Sequence, residues 1–357
     1  MTAPTPPPPT PQADDLDTGP GPADDTAAWT AVGELYHRYM TGLILALVIR
    51  QGTDRAAEVV FRTFRAQHLE LFLPGLAKLG LADRPPAVAC AQYHVLSNAL
   101  GGVGVMWIPE SDTKSWVRYT PPRWIFDGTA VCGIPTEVAR AMLHGWHGHN
   151  GQSLGNDRLG FVCTMQTTDG QPGLEGYYIE EDHPLDEADR VRFRPGERPP
   201  NPPADLPLPS WSAERLAKVD RNYATAYIRT MLPAMASVLG PGDAAAVGRM
   251  AARQVAMQYR DIVNTLLGHP EPADSPEVFA GRLARFLNGH GRGCAARADG
   301  PRVRLDAGHG LFPDPAPWSV FEGWNGLWEG WAEMEGHRLT VTARSDLGDP
   351  ATEWMVA

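Results

Sequence analysis

Three features of the sequence predict an α+β protein made of two copies of one unit. Apolar residues recur at helical spacing over long stretches, and short strand-like runs follow them in pairs. The same order, three helices, a hairpin, a helix and a second hairpin, is read in each half. A shift of 178 residues also converts Gly145-Trp146-x-Gly148 into Gly323-Trp324-x-Gly326, Thr164 into Thr342, and Gly170-x-Pro172-x-x-Glu175 into Gly348-x-Pro350-x-x-Glu353. Seven identities at one ungapped offset over 31 positions, several of them Trp, Gly and Pro, mark an internal repeat, which identifies the folding unit.

The elements follow in order. Residues 1–26 contain eight prolines and almost no large apolar side chain. Such a segment cannot offset its ordering entropy and is expected to be a disordered tail. Order is expected from Thr26, as N-cap of a helix over 27–51 that carries Trp29, Leu35, Tyr36, Tyr39, Leu43 and Leu47 at helical spacing. A second helix is expected over 54–79, with His68 in its apolar series, and a third over 86–100, stopped by Gly101-Gly102. Val103–Ile108 and Trp116–Tyr119 read as a hairpin. A helix begins near Thr136, and 159–166 and 174–179 form a second hairpin. Residues 183–211 are proline-rich and read as an extended linker. The second copy repeats the order, with helices over 212–239, 244–267, 276–287 and 316–334. Its strands fall at 293–297, 302–306, 338–343 and 352–356. The expected domains are therefore 27–182, with a polar pocket, and 212–357, in which that pocket has degenerated.

A chain of 357 residues suits two domains. The net charge of −11 is concentrated in five aspartates of the tail and six acids between Glu180 and Asp189, so the folded parts are near neutral. No clustered Lys and Arg face a nucleic acid. Cys90, Cys132, Cys163 and Cys294 lack disulfide or CxxC spacing, which points to a reducing compartment. The N-terminus has no signal-peptide pattern and no apolar run approaches the ~20 residues that span a bilayer. A soluble cytoplasmic protein that meets a small-molecule ligand and no membrane is expected; a homodimer is compatible with this. Gly101-Gly102-Val103-Gly104 leaves a helix and enters a strand, the reverse of a dinucleotide fingerprint.

The series Trp318-(x)4-Gly323-Trp324-x-Gly326-(x)3-Gly330, then Leu339–Thr342, then Gly348-Asp349-Pro350-Ala351-Thr352-Glu353-Trp354, resembles the closing segment of the 4-vinyl-reductase-type ligand-binding domain. It is similar also to that of the related L-2-amino-thiazoline-4-carboxylate hydrolase family. The resemblance covers about the last forty residues of each copy and extends to the layout of helices and hairpins. It implies either a ligand sensor or cleavage of an acyl or amidine C–N bond. Some members hold zinc through cysteines near the GD turn. Here Arg344 and Thr352 stand in those neighbourhoods, with Gln166 and Leu174 in the first copy, so that zinc site is not expected.

The chemistry-bearing residues concentrate between Arg140 and Tyr178. His147 and His149 can act as general bases near neutral pH, with a buried Glu175 as general acid. Glu175 recurs as Glu353, which equally suits a shared structural role. His149 and Asn150 are replaced by Leu327 and Trp328, the exchange expected between a working pocket and a degenerate one. Asn150, Arg158, Gln166, Tyr178, Arg123 and Trp146 are the candidate substrate contacts. The arginines would take a carboxylate through the guanidinium fork, and Tyr177 and Tyr178 point to opposite faces of one strand. His144 and His147, three apart on a helix, would suit two ligands of a metal. With Glu175 or Cys163 as a third they would fit zinc or iron, although no cofactor is required. The expected activity is a hydrolase or lyase acting on a small polar, carboxylate-bearing substrate. The alternatives are a non-catalytic binding module, or a metal- or haem-dependent enzyme using His144, His147 and His149.

Overall fold

A computed structural model of the chain describes residues 25–121, 128–208, 210–291, 295–306, 311–312, 316–344 and 351–357. The chain divides into two compact units. The first contains Arg65–Pro121 and Leu143–Trp211; the second contains the described residues of Asp17–Phe64, Pro122–Met142 and Ser212–Ala357. The proline-rich tail and the GD turn at 348–350 lie outside the described residues, as does Arg123.

Helices α1 (Thr26–Gln51), α2 (Thr53–Lys78) and α3 (Pro86–Leu100) come first, followed by strands β1 (Val105–Pro109) and β2 (Lys114–Tyr119). Helix α4 (Thr136–Gly145), a 3-10 turn at His147–His149 and the single-turn α5 (Asn150–Ser153) lead to β3 (Leu159–Met165) and β4 (Leu174–Glu180). Then come β5 (Val191–Phe193), α6 (Ala213–Leu239), α7 (Pro241–Leu266) and α8 (Pro276–Asn288). The chain closes with β6 (Ala296–Asp299), β7 (Arg302–Asp306), α9 (Trp318–Met334), β8 (Leu339–Ala343) and β9 (Ala351–Val356). The α+β expectation holds, and its hairpins form antiparallel sheets. The N-cap of α1 is one residue earlier than expected: Asp25, not Thr26, accepts from Ala28 N at 3.0 Å.

In the first unit five strands run in the order β1-β2-β4-β3-β5, antiparallel except for the parallel β3–β5 pair. Strand alternation gives this sheet two different faces. The register sets Ser115 opposite Tyr178 and Phe161 opposite Tyr178, so these share the face covered by α3. Trp116, Arg118, Glu175 and Tyr177 belong to the other face. Gly176, between Glu175 and Tyr177, admits the close approach of β3: a Cβ there would stand 2.4 Å from Val162 O and 2.5 Å from the Phe161 ring.

The segment expected to be a free linker belongs to this sheet instead. Val191–Phe193 pairs with β3, and the following residues cross the outer face. Glu197 accepts from Tyr177 Oη at 2.7 Å, Arg198 faces Glu175 at 3.7 Å, Asn201 donates to Pro109 O at 2.7 Å, and Ala204 bridges to Trp107. Proline here does not leave the chain loose: it keeps a strap extended while side chains between the prolines make the attachments.

The second unit holds a four-stranded antiparallel sheet in the order β6-β7-β9-β8 and a large helical core. Helices α7 and α9 approach closely through small residues. Cβ atoms added at Gly326 and Gly330 would stand 2.6 Å and 2.8 Å from the carbonyls of Arg249 and Arg253. Helix α1 belongs here. Its Tyr36 hydroxyl accepts from Trp324 Nε1 at 2.6 Å and reaches His290 Nε2 at 2.5 Å, and Tyr39 donates to Gly323 O at 2.8 Å. The expected division at 183–211 is therefore replaced by an interleaved one, because α1 buries its apolar residues against α6 and α7 rather than within its own half.

Candidate functional site

Two of the polar residues of the first unit, His147 and Tyr178, lie against His94 of α3. Three glycines shape the turn that places His147, His149 and Asn150. Helix α4 ends at Gly145, Gly148 lets Val191 approach to 2.9 Å from where a Cβ would be, and Gly151 leaves room for the carbonyls of Asn156 and Leu159. The chain thus abandons the helix between Gly145 and Asn150, which turns His147, His149 and Asn150 towards different neighbours.

His147 is buried. Its Nδ1 lies 2.5 Å from Tyr178 Oη, its ring stacks on His94 at 4.4 Å and 14°, and Phe161 lies 4.4 Å away on a tilted plane. His94 also lies parallel to Tyr178 at 5.9 Å. Burial holds the Tyr178 hydroxyl well above the usual tyrosine range, with Cys90 adding to the rise, so it stays protonated. The Cys90 thiol is likewise pushed up to about 12 by burial and is no nucleophile at neutral pH. The Asn150 amide moderates both shifts, but neither of its atoms reaches hydrogen-bonding geometry with any group, although the residue is 0% exposed.

His149 turns elsewhere. Its ring meets that of His68 edge-on at 5.2 Å, and Trp146 meets His68 in the same manner at 5.4 Å. His68 is held by Ser153 Oγ at 2.9 Å from Nε2, and burial, reinforced by His149, lowers it to about 3. His149 is also lowered, first by burial and then by the Arg65 and Arg190 charges, with Glu187 opposing. Trp146 Nε1, His149 Nδ1 and His68 Nδ1 are buried without hydrogen-bond partners, as are both amide atoms of Asn150.

Glu175 does not join the histidines. Three residues from Tyr178 on one strand, it emerges on the opposite face. There, 0% exposed, it is paired with Arg118, faced by Arg198 and approached by Thr164 Oγ1 at 3.4 Å. The expected pairing of His147 or His149 with Glu175 as acid and base is absent for this reason. Arg158 pairs with Glu180 at the surface, and Gln166 is buried in the β3–β4 connection with its Nε2 donating to Asp169 at 3.1 Å. The expected metal set does not come together either. His144 rests on Phe193 with ring centroids 5.9 Å apart, and Cys163 donates to Met165 O at 3.4 Å. Among the described residues no three His, Cys, Asp or Glu side chains group so as to hold a metal ion.

His68, Cys90, Tyr93, His94 and Ser153 were not singled out from the sequence as site residues. Their signal was present in weak form. His68 occupies an apolar position of α2, and Cys90 and His94 stand one turn apart on a helix with almost no exposed face. A cavity of about 360 Å³ occurs in the second unit, lined by Asp25, Trp29, Ala284, Arg285 and Asn288 among others. Its charged lining is already paired, with Arg285 donating to Asp25 at 2.6 and 2.9 Å, so it lacks the unmet polar groups of the first unit.

No helix among the described residues is long and apolar enough to cross a membrane. No family model, curated protein or solved structure matches the chain.

Proposed function

We propose that the first unit binds a small organic molecule at Asn150 and that the His147–Tyr178 pair moves a proton to or from it. The reading is carried by one observation: the side-chain amide of Asn150 is fully buried with donor and acceptor both unmet. An unmet buried polar group costs about 1–3 kcal/mol, and such groups call for a ligand or an ordered water. The packed rings of Trp146, His149 and His68 each carry one further unmet nitrogen, and that concentration favours an organic ligand.

The chemistry follows from the hydrogen bond between His147 and Tyr178. When the hydroxyl donates, Nδ1 accepts and Nε2 carries the ring proton. Proton uptake at one ring nitrogen and release at the other gives a relay, and the neutral phenol remains available as an acid. This supports acid–base chemistry of the kind a hydrolase or lyase uses. A carboxylate on the same substrate would be met at the His149 end, where Arg65 and Arg190 act. The non-catalytic alternative is favoured by a separate observation: His68, Cys90 and Tyr178 are all held far from neutral titration, which suits a pocket that only binds.

The wider reading is a duplication. Both sheets carry the order first-second-fourth-third in their own strands, leaving β5 aside. Both break register at the same aligned place, Cys163/Met165 and Val341/Ala343, opposite Glu175 and Glu353. Each of those glutamates faces an arginine across the next strand, Arg118 and Arg304. These parallels support two copies of one unit, the second with Trp328 where the first has Asn150. Together with the resemblance to the vinyl-reductase and thiazoline-hydrolase families, they make a ligand-binding first copy the natural reading.

The test compares wild type with Asn150→Leu and His147→Gln in thermal-shift binding to a panel of small carboxylates and amides. Asn150→Leu is expected to lose binding, and His147→Gln to bind but not turn over. Unchanged binding in Asn150→Leu would refute the site.

A further inference from the structure

The unmet groups around Asn150 also specify the kind of ligand. We propose that Asn150 reads a neutral cis-amide edge, the adjacent C=O and N–H of a planar lactam, imide or urea ring. This rests on the reading of the first unit as a ligand site and narrows it. A carboxamide offers one acceptor and one donor side by side, so its complement must offer one donor and one acceptor at the same spacing. A cis-amide does so. A carboxylate offers only acceptors and would set an oxygen against Asn150 Oδ1.

The surroundings select in the same direction. The groups beside the amide, Cys90 and Tyr178, are both neutral, and His68 is held uncharged at neutral pH. Arg118 on β2 and Arg198 in the strap pair with Glu175 on the opposite face of the sheet. An anion placed against Asn150 Oδ1 would also face the neutral Cys90 thiol and Tyr178 phenol, whereas a neutral amide leaves no charge to solvate. Flat rings are gathered in the same unit: Tyr93 lies near-parallel to Trp146 at 6.4 Å, and His94 to Tyr178 at 5.9 Å. Planar ligands stack on such rings. In the aligned position of the second copy, the fully buried Trp328 places an indole where the first copy has only an amide. The difference in side-chain size between the two positions is that of a small ring.

The experiment uses the full chain and calorimetric titration with uracil, hydantoin, 1,3-dimethyluracil and benzoate. Uracil or hydantoin is expected to bind, and 1,3-dimethyluracil, which has no N–H, at least about tenfold more weakly. Asn150→Asp exchanges the donor for a second acceptor, so it should weaken uracil by at least about tenfold and gain affinity for the 2-aminopyridinium cation, whose ring N–H and amino group offer two adjacent donors. The methylated ring needs only the wild-type protein and so tests the proposal even if the variant does not fold. Binding of uracil that survives dimethylation, or Asn150→Asp, would overturn it. Benzoate binding that depends on His147, with no binding of the rings, would overturn the cis-amide reading and leave the ligand site standing. Failure of every probe, with Asn150→Leu neutral for stability, would overturn both.

Discussion

At the scale of single residues, Asn150 and Glu175 are opposite cases of a buried polar group. Asn150 has no partner, so replacing it with an apolar side chain removes a penalty. Asn150→Leu should raise the unfolding free energy by about 1–3 kcal/mol in the absence of ligand while abolishing binding, a stability gain at the expense of function. Denaturant titration of the free protein checks it. Glu175 is fully paired, so removing it leaves Arg118 and Arg198 facing each other. Since both arginines are partly exposed, Glu175→Leu should cost about 1–3 kcal/mol rather than the full penalty of a buried unpaired charge. Glu175→Leu with Arg118→Met should recover most of that in the same titration. The sequence marked both residues. It could not say that Glu175 leaves the histidines, because that depends on strand parity relative to Tyr178. Nor could it show His68 and His94 at the site, since a histidine in an apolar helical series looks the same whether or not it meets a ligand.

At the scale of elements, glycine spacing in α9 was visible as a pattern, but its meaning required a neighbour. Gly326 holds α9 against α7 and cannot take a methyl group without moving Arg249 O, whereas Gly281 in α8 has nothing within 4 Å of its missing Cβ. Gly326→Ala should therefore destabilise by about 1–3 kcal/mol through overpacking. Gly281→Ala should stabilise by about 0.5–1 kcal/mol through backbone entropy. Paired thermal melts decide between these signs. Helix and strand positions were legible almost throughout, because apolar periodicity and the Gly and Pro stops are local. The strap over 191–205 was not. Its proline content describes an extended chain equally well in solvent and across a sheet, and its attachments to Tyr177, Pro109 and Trp107 are long-range.

At the scale of the whole molecule, two buried histidines and one aspartate set the response to acid. His68 is lowered to about 3 and His37 to about 4, both by burial, so the unfolded chain binds their protons first and stability falls as pH drops below about 6.5. Asp220 is raised to about 6 by burial and by Glu34, so between its ordinary 3.8 and 6 it works in the opposite sense and offsets much of the His37 effect. His68 should then dominate: stability should decline by about 1–2 kcal/mol between pH 6.5 and pH 5, and His68→Gln should flatten that slope in denaturant titrations. The interleaved chain makes a further prediction. A fragment spanning 212–357 lacks α1, so Trp324 and His290 lose Tyr36. It should show no dispersed amide NMR spectrum until a peptide covering 25–64 is added. The placement of α1 in the second unit was not legible in the sequence, because apolar periodicity marks a buried face without saying which core it fills. The bond from Trp324 to Tyr36 spans 288 residues of chain. Helix α6, which covers much of α1, begins 162 residues beyond the end of α1 (213 − 51), so on a ribosome adding about 5–20 residues per second α1 would emerge some 8–32 s before that cover exists. During that interval Leu43, Ile44 and Leu47 have nothing to cover them, so the newborn protein should depend on a holding chaperone far more than the finished one does.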